Sequence, residues 1–125
     1  MSAGPLHATC HCGQVRLTIP HAPAAVTNCN CSICRRYGVL WGYYTVDQVA
    51  VDAEASDLAE YVWGDRMLKF VRCAHCGVVV AWMPLPHDPA GRCAINIRNF
   101  DPAQIGDVRI RRFDGADTWR YLDPA

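Results

Sequence analysis

The eight cysteines of this 125-residue chain fall into three clusters and one singleton. They stand as Cys10-His11-Cys12, Cys29-Asn30-Cys31-Ser32-Ile33-Cys34 and Cys73-Ala74-His75-Cys76, with Cys93 alone. Thiolate clusters of this spacing suit zinc. Structural zinc takes four protein ligands, whereas catalytic zinc takes three and keeps a fourth position for water or substrate. Cys10, Cys12, Cys73 and Cys76 supply a set of four. Cys29, Cys31 and Cys34 supply a set of three. Two zinc ions per chain are therefore expected, one structural and one catalytic.

In the first set each half ends in glycine, Cys12-Gly13 and Cys76-Gly77. A knuckle needs positive φ after its second ligand, so that backbone N–H groups point at the thiolates. About sixty residues separate the halves, so a metal there staples distant parts of the chain and contributes folding free energy directly. The alternative is a pair of redox dithiols, but Cys-x-x-Cys reads that way only within a βαβ pattern, and none is visible.

In the second set three thiolates crowd into six residues of loop. Zinc there lowers the pKa of a bound thiol and makes it a ready nucleophile. Arg35 and Arg36 follow directly, as candidates to bind a substrate carboxylate, to compensate the thiolate charge, or simply to edge a solvated loop. The alternative for the triplet is closure by Cys93 or a histidine, which makes the site purely structural. Cys93 by itself reads as a small buried hydrophobe. His7, His11 and His75 read as exposed imidazoles. Trp41, Trp63, Trp82 and Trp119 read as core rather than as a stacking platform.

Strands must position these ligands. Val15, Leu17 and Ile19 alternate with Arg16 and Thr18 at period two. Residues 39–44, 59–63 and 68–72 are β-branched and aromatic, with Gly64-Asp65-Arg66 as a hairpin turn between the last two. Residues 78–82 read as a buried strand stopped by Pro84 and Pro86, and 93–97 alternate again. One short helix is expected from Asp101, an N-cap followed by Pro102, and a further turn at 46–49. The segments 20–23 and 84–91 are proline-rich surface loops. The expectation is one mainly β domain over residues 1–125, with an ordered core of about 6–122.

Bulk properties narrow the function classes. Apolar residues make up 51% and charged residues 19%, with formal net charge zero. A nucleic-acid binder carries a basic excess or stripe, so no nucleic-acid partner is expected. The eleven arginines against one lysine reflect genome composition more than phosphate recognition. Met1 to Pro5 shows no signal-peptide pattern, and no apolar run approaches a membrane span. Cytoplasmic location follows, where thiols stay reduced.

Three motifs carry a resemblance to a known family. The segments are Cys10-His11-Cys12-Gly13-Gln14-Val15-Arg16, Cys29-Asn30-Cys31-Ser32-Ile33-Cys34-Arg35-Arg36-Tyr37-Gly38 and Phe70-Val71-Arg72-Cys73-Ala74-His75-Cys76-Gly77. The chain resembles the glutathione-dependent formaldehyde-activating enzyme family, which also contains centromere protein V. Residues 96–101 and 113–119 resemble segments of that family's C-terminal half. The resemblance implies a β-tent fold of packed antiparallel sheets. It implies structural zinc on Cys10, Cys12, Cys73 and Cys76, and catalytic zinc on Cys29, Cys31 and Cys34. It implies a carbon–sulfur lyase that joins glutathione to formaldehyde as S-(hydroxymethyl)glutathione, so the partners are a small thiol and an aldehyde. The formaldehyde-activating members are longer than this chain, which opens the choice of thiol. A non-catalytic zinc-stabilised β module binding a protein partner is the alternative reading.

Overall fold

Ten short strands and two four-residue helices make up the computed structural model, which describes residues 4–124. The end residues of the expected 1–125 domain, including three of the five on which the missing signal peptide was read, lie outside the described residues. Among the described residues no helix is long and apolar enough to cross a membrane.

Strands β1 (Leu6–Thr9), β2 (Arg16–Ile19) and β5 (Ala50–Asp52) form a three-stranded antiparallel sheet in the order β1-β2-β5. The other seven are β3 (Ala25–Cys29), β4 (Trp41–Thr45), β6 (Leu58–Tyr61), β7 (Leu68–Cys73), β8 (Val79–Pro84), β9 (Arg92–Asn96) and β10 (Arg109–Phe113). They form one sheet in the order β10-β3-β4-β9-β8-β7-β6. Every pairing is antiparallel except one. β10 runs parallel to β3, with Phe113 opposite Cys29, where packed antiparallel sheets were expected. A parallel pair needs a long crossover rather than a hairpin, and here residues 30–108 lie between the two strands.

Period-two alternation sends the large sheet's side chains into two cores. Tyr44, Val71, Cys93 and Ile95 join Leu6, Leu17 and Ile19 of the small sheet and Val15, which precedes β2. Val15, Leu17 and Ile19 are fully buried, as their alternation predicts. Trp41, Phe70 and Ala94 project to the other side and pack with Cys29, Cys34, Val39 and Val79. The two cysteine sets therefore belong to different cores: Cys10 and Cys73 to the first, Cys29 and Cys34 to the second.

The expected strands recur with ends shifted by a few residues. β8 continues through Pro84, which sits opposite Leu68 rather than stopping the strand before it. Gly64 and Arg66 adopt positive φ in the turn between β6 and β7. The helix from Asp101 is α2 (Pro102–Ile105), whose N-cap carboxylate accepts from the Ala103 N–H at 2.9 Å. Residues 46–48 form a 3-10 turn closed by Thr45 and Gln48. Strands β1, β3, β5 and β10, and helix α1 (Cys34–Tyr37), are additional to the sequence reading.

Candidate metal centres and cleft

The four sulfurs of Cys10, Cys12, Cys73 and Cys76 lie within 4.8 Å of one another. Cys12 is the corner, 3.7 Å from Cys10 and 3.6 Å from Cys73. A tetrahedron with zinc–sulfur bonds of about 2.3 Å has edges of about 3.8 Å, so the cage has the size that zinc requires. Gly13 and Gly77 take φ of 87° and 79°. The chain turned this way aims its N–H groups at sulfur. Val15 donates to Cys10 at 3.4 Å, and His75 and Cys76 both donate to Cys73 at 3.4 Å. Burial alone would raise the Cys76 thiol. The N–H groups of Val78 and Cys12 and the neighbouring thiols outweigh it and hold Cys76 down at about 6. Against the N–H of Gln14, burial and the neighbouring thiols push Cys12 up to about 11, so the four do not ionise together until a cation offsets their charge.

The sulfurs of Cys29, Cys31 and Cys34 also lie within 4.8 Å of one another, and among the described residues no fourth histidine, cysteine or carboxylate joins them. Cys29 ends β3, Cys31 lies in the following turn and Cys34 opens α1. The Cys34 N–H donates to Cys31 Sγ at 3.4 Å, and the buried Trp41 Nε1–H donates to Cys34 Sγ at 3.4 Å. A hydrogen bond from the Cys34 thiol, helped by the N–H groups of Cys31 and Gly115, holds Cys29 down at about 6 against its burial. The same bond pushes Cys34 up. These donor sets are soft, and each pairs a lowered with a raised thiol whose shared charge a cation would offset, which matches zinc chemistry in both places.

A strap from β10 onward fixes one side of the triplet. The Asn30 N–H donates to the Phe113 carbonyl at 3.1 Å, its side-chain amide donates to Asp114 at 3.0 Å, and its Oδ1 accepts from the Ala116 N–H at 3.0 Å. Asp114 also accepts from the Thr118 N–H and hydroxyl. Gly115 is thereby pressed against the cysteines so closely that a Cβ on it would stand 2.6 Å from Cys29 Sγ.

The triplet opens onto a cleft of about 680 Å³. All four tryptophans reach its wall. Trp41 is core, as expected, but Trp63 is 43% and Trp119 70% exposed, which corrects the reading of all four as core. The physical reason is position. Trp63 enters the turn between β6 and β7, and Trp119 lies on the C-terminal strap, so neither sits on a strand face that a second layer covers. Exposed Met67 joins them at the rim. Trp119 holds φ +60° and packs edge-on against Phe113 at 5.1 Å.

Of the other candidates, Cys93 is fully buried in the core with the small sheet and is not part of the triplet. Burial pushes its thiol up to about 11. His7, His11 and His75 are exposed, with His75 bonded to Asp57 at 2.7 Å. Arg35 and Arg36 are exposed on α1, and Arg36 donates to the Ser32 carbonyl at 2.7 Å. The guanidinium on the cleft wall is that of Arg92. Arg92, Gly115 and Tyr121 were not singled out as site residues in the sequence, and Trp119 was read there as core. Large apolar residues inside turn-forming segments, Trp63 and Met67 about Gly64-Asp65 and Trp119 after Asp114-Gly115, were the available signal, because turns seldom spend such residues on solvent.

Residues 5–109 match the family described as glutathione-dependent formaldehyde-activating enzyme. Among solved structures, the crystal structure of a Rhodobacter sphaeroides protein is similar at a TM-score of 0.68 and 25% identity, covering 84% of this chain and 99% of that one. All eight cysteines fall within the family match, whereas the strap from Phe113 to Tyr121 lies beyond it.

Proposed function

This chain belongs to the glutathione-dependent formaldehyde-activating enzyme family, and from that premise we propose that it is a zinc-dependent carbon–sulfur lyase of the S-(hydroxymethyl)glutathione synthase type. It joins a small thiol, glutathione or a similar compound, to an aldehyde such as formaldehyde. The observation that carries this reading is the contrast in ligand count: four sulfurs in one set, and three in the other beside a cleft. In this reading Cys10, Cys12, Cys73 and Cys76 hold a structural zinc, and Cys29, Cys31 and Cys34 hold a catalytic one. Zinc bound there supplies the Lewis acidity that makes a thiol a nucleophile at neutral pH.

The chain's own groups do the rest. Trp41 and the backbone N–H groups of Cys34 and Gly115 fix the sulfurs and spread their charge. The aromatic walls exclude water from the reacting atoms. In the reaction the substrate sulfur forms a bond to the carbonyl carbon. The carbon–oxygen π pair moves to oxygen, which takes up the proton that the thiol gave up. Arg35 and Arg36 are retained as candidates for a substrate carboxylate that extends past the cleft. We take residues 1–125 as one domain with its core over about 6–122, working in the reducing cytoplasm that seven thiolate ligands require, without a nucleic-acid partner.

Exchange NMR on formaldehyde mixed with small thiols, glutathione among them, tests the proposal. The zinc-loaded protein should speed adduct formation above the spontaneous rate, and Cys31→Ser should abolish the gain. An exchange rate unaltered with every thiol, on protein carrying both metals, would favour the partner-binding alternative.

A further inference from the structure

Formaldehyde needs little room, so most of a cleft of about 680 Å³ must serve the larger reactant, the thiol. Its walls near the triplet are aromatic and apolar. Trp41 and Phe70 form the floor, Trp82 and Phe113 the sides, and Trp63 and Trp119 the rim. A tripeptide would lay its amide groups against these surfaces without partners, and each buried unpaired amide is costly. An aryl or branched apolar substituent meets no such penalty.

Apart from Asp65 in the turn between β6 and β7, the charged and hydroxyl-bearing side chains of the wall are Tyr43, Arg92 and Tyr121. Arg92 stands at the start of β9 with its guanidinium carbon 3.9 Å above the Tyr43 ring. Among the described residues it makes no ion pair with a carboxylate. Tyr121 closes the same end, its hydroxyl 2.8 Å from that of Thr27. Stacking fixes the guanidinium plane while leaving its N–H fork free, the arrangement that receives a carboxylate. Among the described residues two charged groups line the cleft: Asp65, whose carboxylate accepts from the Met67 N–H at 3.1 Å, and Arg92, the one cation, enough for one carboxylate rather than the two of glutathione.

We propose that the cleft selects an aryl-substituted thiol carrying a single carboxylate, with the ring between Trp63, Trp82 and Trp119 and the carboxylate on Arg92. Arg92 is then the specificity-determining residue. This rests on the thiol-addition reading above and narrows its substrate.

The test is binding to the zinc-loaded protein, followed by quenching of cleft tryptophan fluorescence. The probes are 2-mercapto-3-phenylpropanoate, its neutral amide, and glutathione. The mercapto acid should bind at least tenfold more tightly than glutathione. Arg92→Gln should weaken the acid about tenfold and the amide less than twofold, with unchanged circular dichroism. Glutathione binding as tightly as the acid, absence of binding by the acid, or equal weakening of acid and amide, would overturn the assignment. A cobalt-loaded sample separates the two levels. If the acid binds in an Arg92-dependent way while the cobalt spectrum stays unchanged, the cleft assignment stands and the thiol-addition reading fails. If glutathione alone changes the spectrum, the thiol-addition reading stands and the cleft assignment fails.

Discussion

Replacing Gly115 by alanine places a methyl carbon 2.6 Å from Cys29 Sγ and 3.2 Å from Cys31 Cβ. A carbon–sulfur contact relaxes to about 3.7 Å, so about 1 Å of relief is needed. Neither side can supply it cheaply. Cys29 is buried and held in register opposite Phe113. Gly115 is held from both flanks, because Asn30 bonds the Asp114 carboxylate and the Ala116 N–H. A metal–ligand bond tolerates about 0.2 Å, so the sulfur that moves is lost as a good ligand. Overpacking of this kind costs about 1–3 kcal/mol. Placed on the metal-loaded state, that is about a 5- to 150-fold loss of zinc affinity at the triplet. Competition against a coloured chelator reads the two zinc equivalents in turn. Gly115→Ala should weaken one equivalent by that factor and leave the other at its parental affinity. A variant that holds both equivalents as the parent does would refute the close approach of the strap to the triplet.

The remaining predictions concern the metals and one thiol. Cys76→Ser should lose the structural zinc and with it most of the folding free energy, about 10 kcal/mol or more of apparent binding energy at neutral pH, read as loss of the cooperative melt. Chelator titration of the parent should remove the triplet's zinc first while circular dichroism stays near native; a single cooperative loss of both ions would contradict two unequal sites. Trp41→Phe removes the Nε1–H bond to Cys34 Sγ and should weaken the triplet's zinc about tenfold, as loss of a group bonded to a ligand does, with little change at the four-cysteine site. Cys93 should resist alkylation until the protein unfolds. Its folded pKa of about 11 stands above the ordinary 9.0, so its share of stability is complete below about pH 9 and lost as pH rises through about 11. Cys93→Ala should flatten that part of a pH–stability profile, and an unchanged slope would show that another group titrates there.

Cysteine spacing carried most of the candidate site in the sequence, because ligands close together in the chain can converge only locally. Two pairs with glycine after each fixed the four-cysteine cage, and six residues fixed the triplet. Period-two alternation carried β2, which buries Leu17 and Ile19 on one face, and β9, whose Cys93 and Ile95 enter one core while Ala94 enters the other; β7 was legible from its β-branched and aromatic residues. What escaped was whatever depends on distant pairing. β10 reads Arg109-Ile110-Arg111-Arg112-Phe113, a run too charged to suggest a strand, and it is one because β3 supplies its ladder. Gly115 reads as a turn glycine until Asn30, far away in sequence, draws it onto Cys29. The tryptophans misled for a different reason. A large aromatic residue reads as core by default, and only the tertiary arrangement shows that Trp63 and Trp119 line a cleft instead.

The central claim is an open three-sulfur zinc site that accepts a substrate thiol, and X-ray absorption counts sulfurs around zinc directly. The zinc-loaded protein should show seven sulfurs shared by two zinc ions, with one lighter ligand. A saturating thiol should raise the count to eight and remove the lighter scatterer. Eight sulfurs before any thiol is added, or seven that persist after saturation, would contradict the claim.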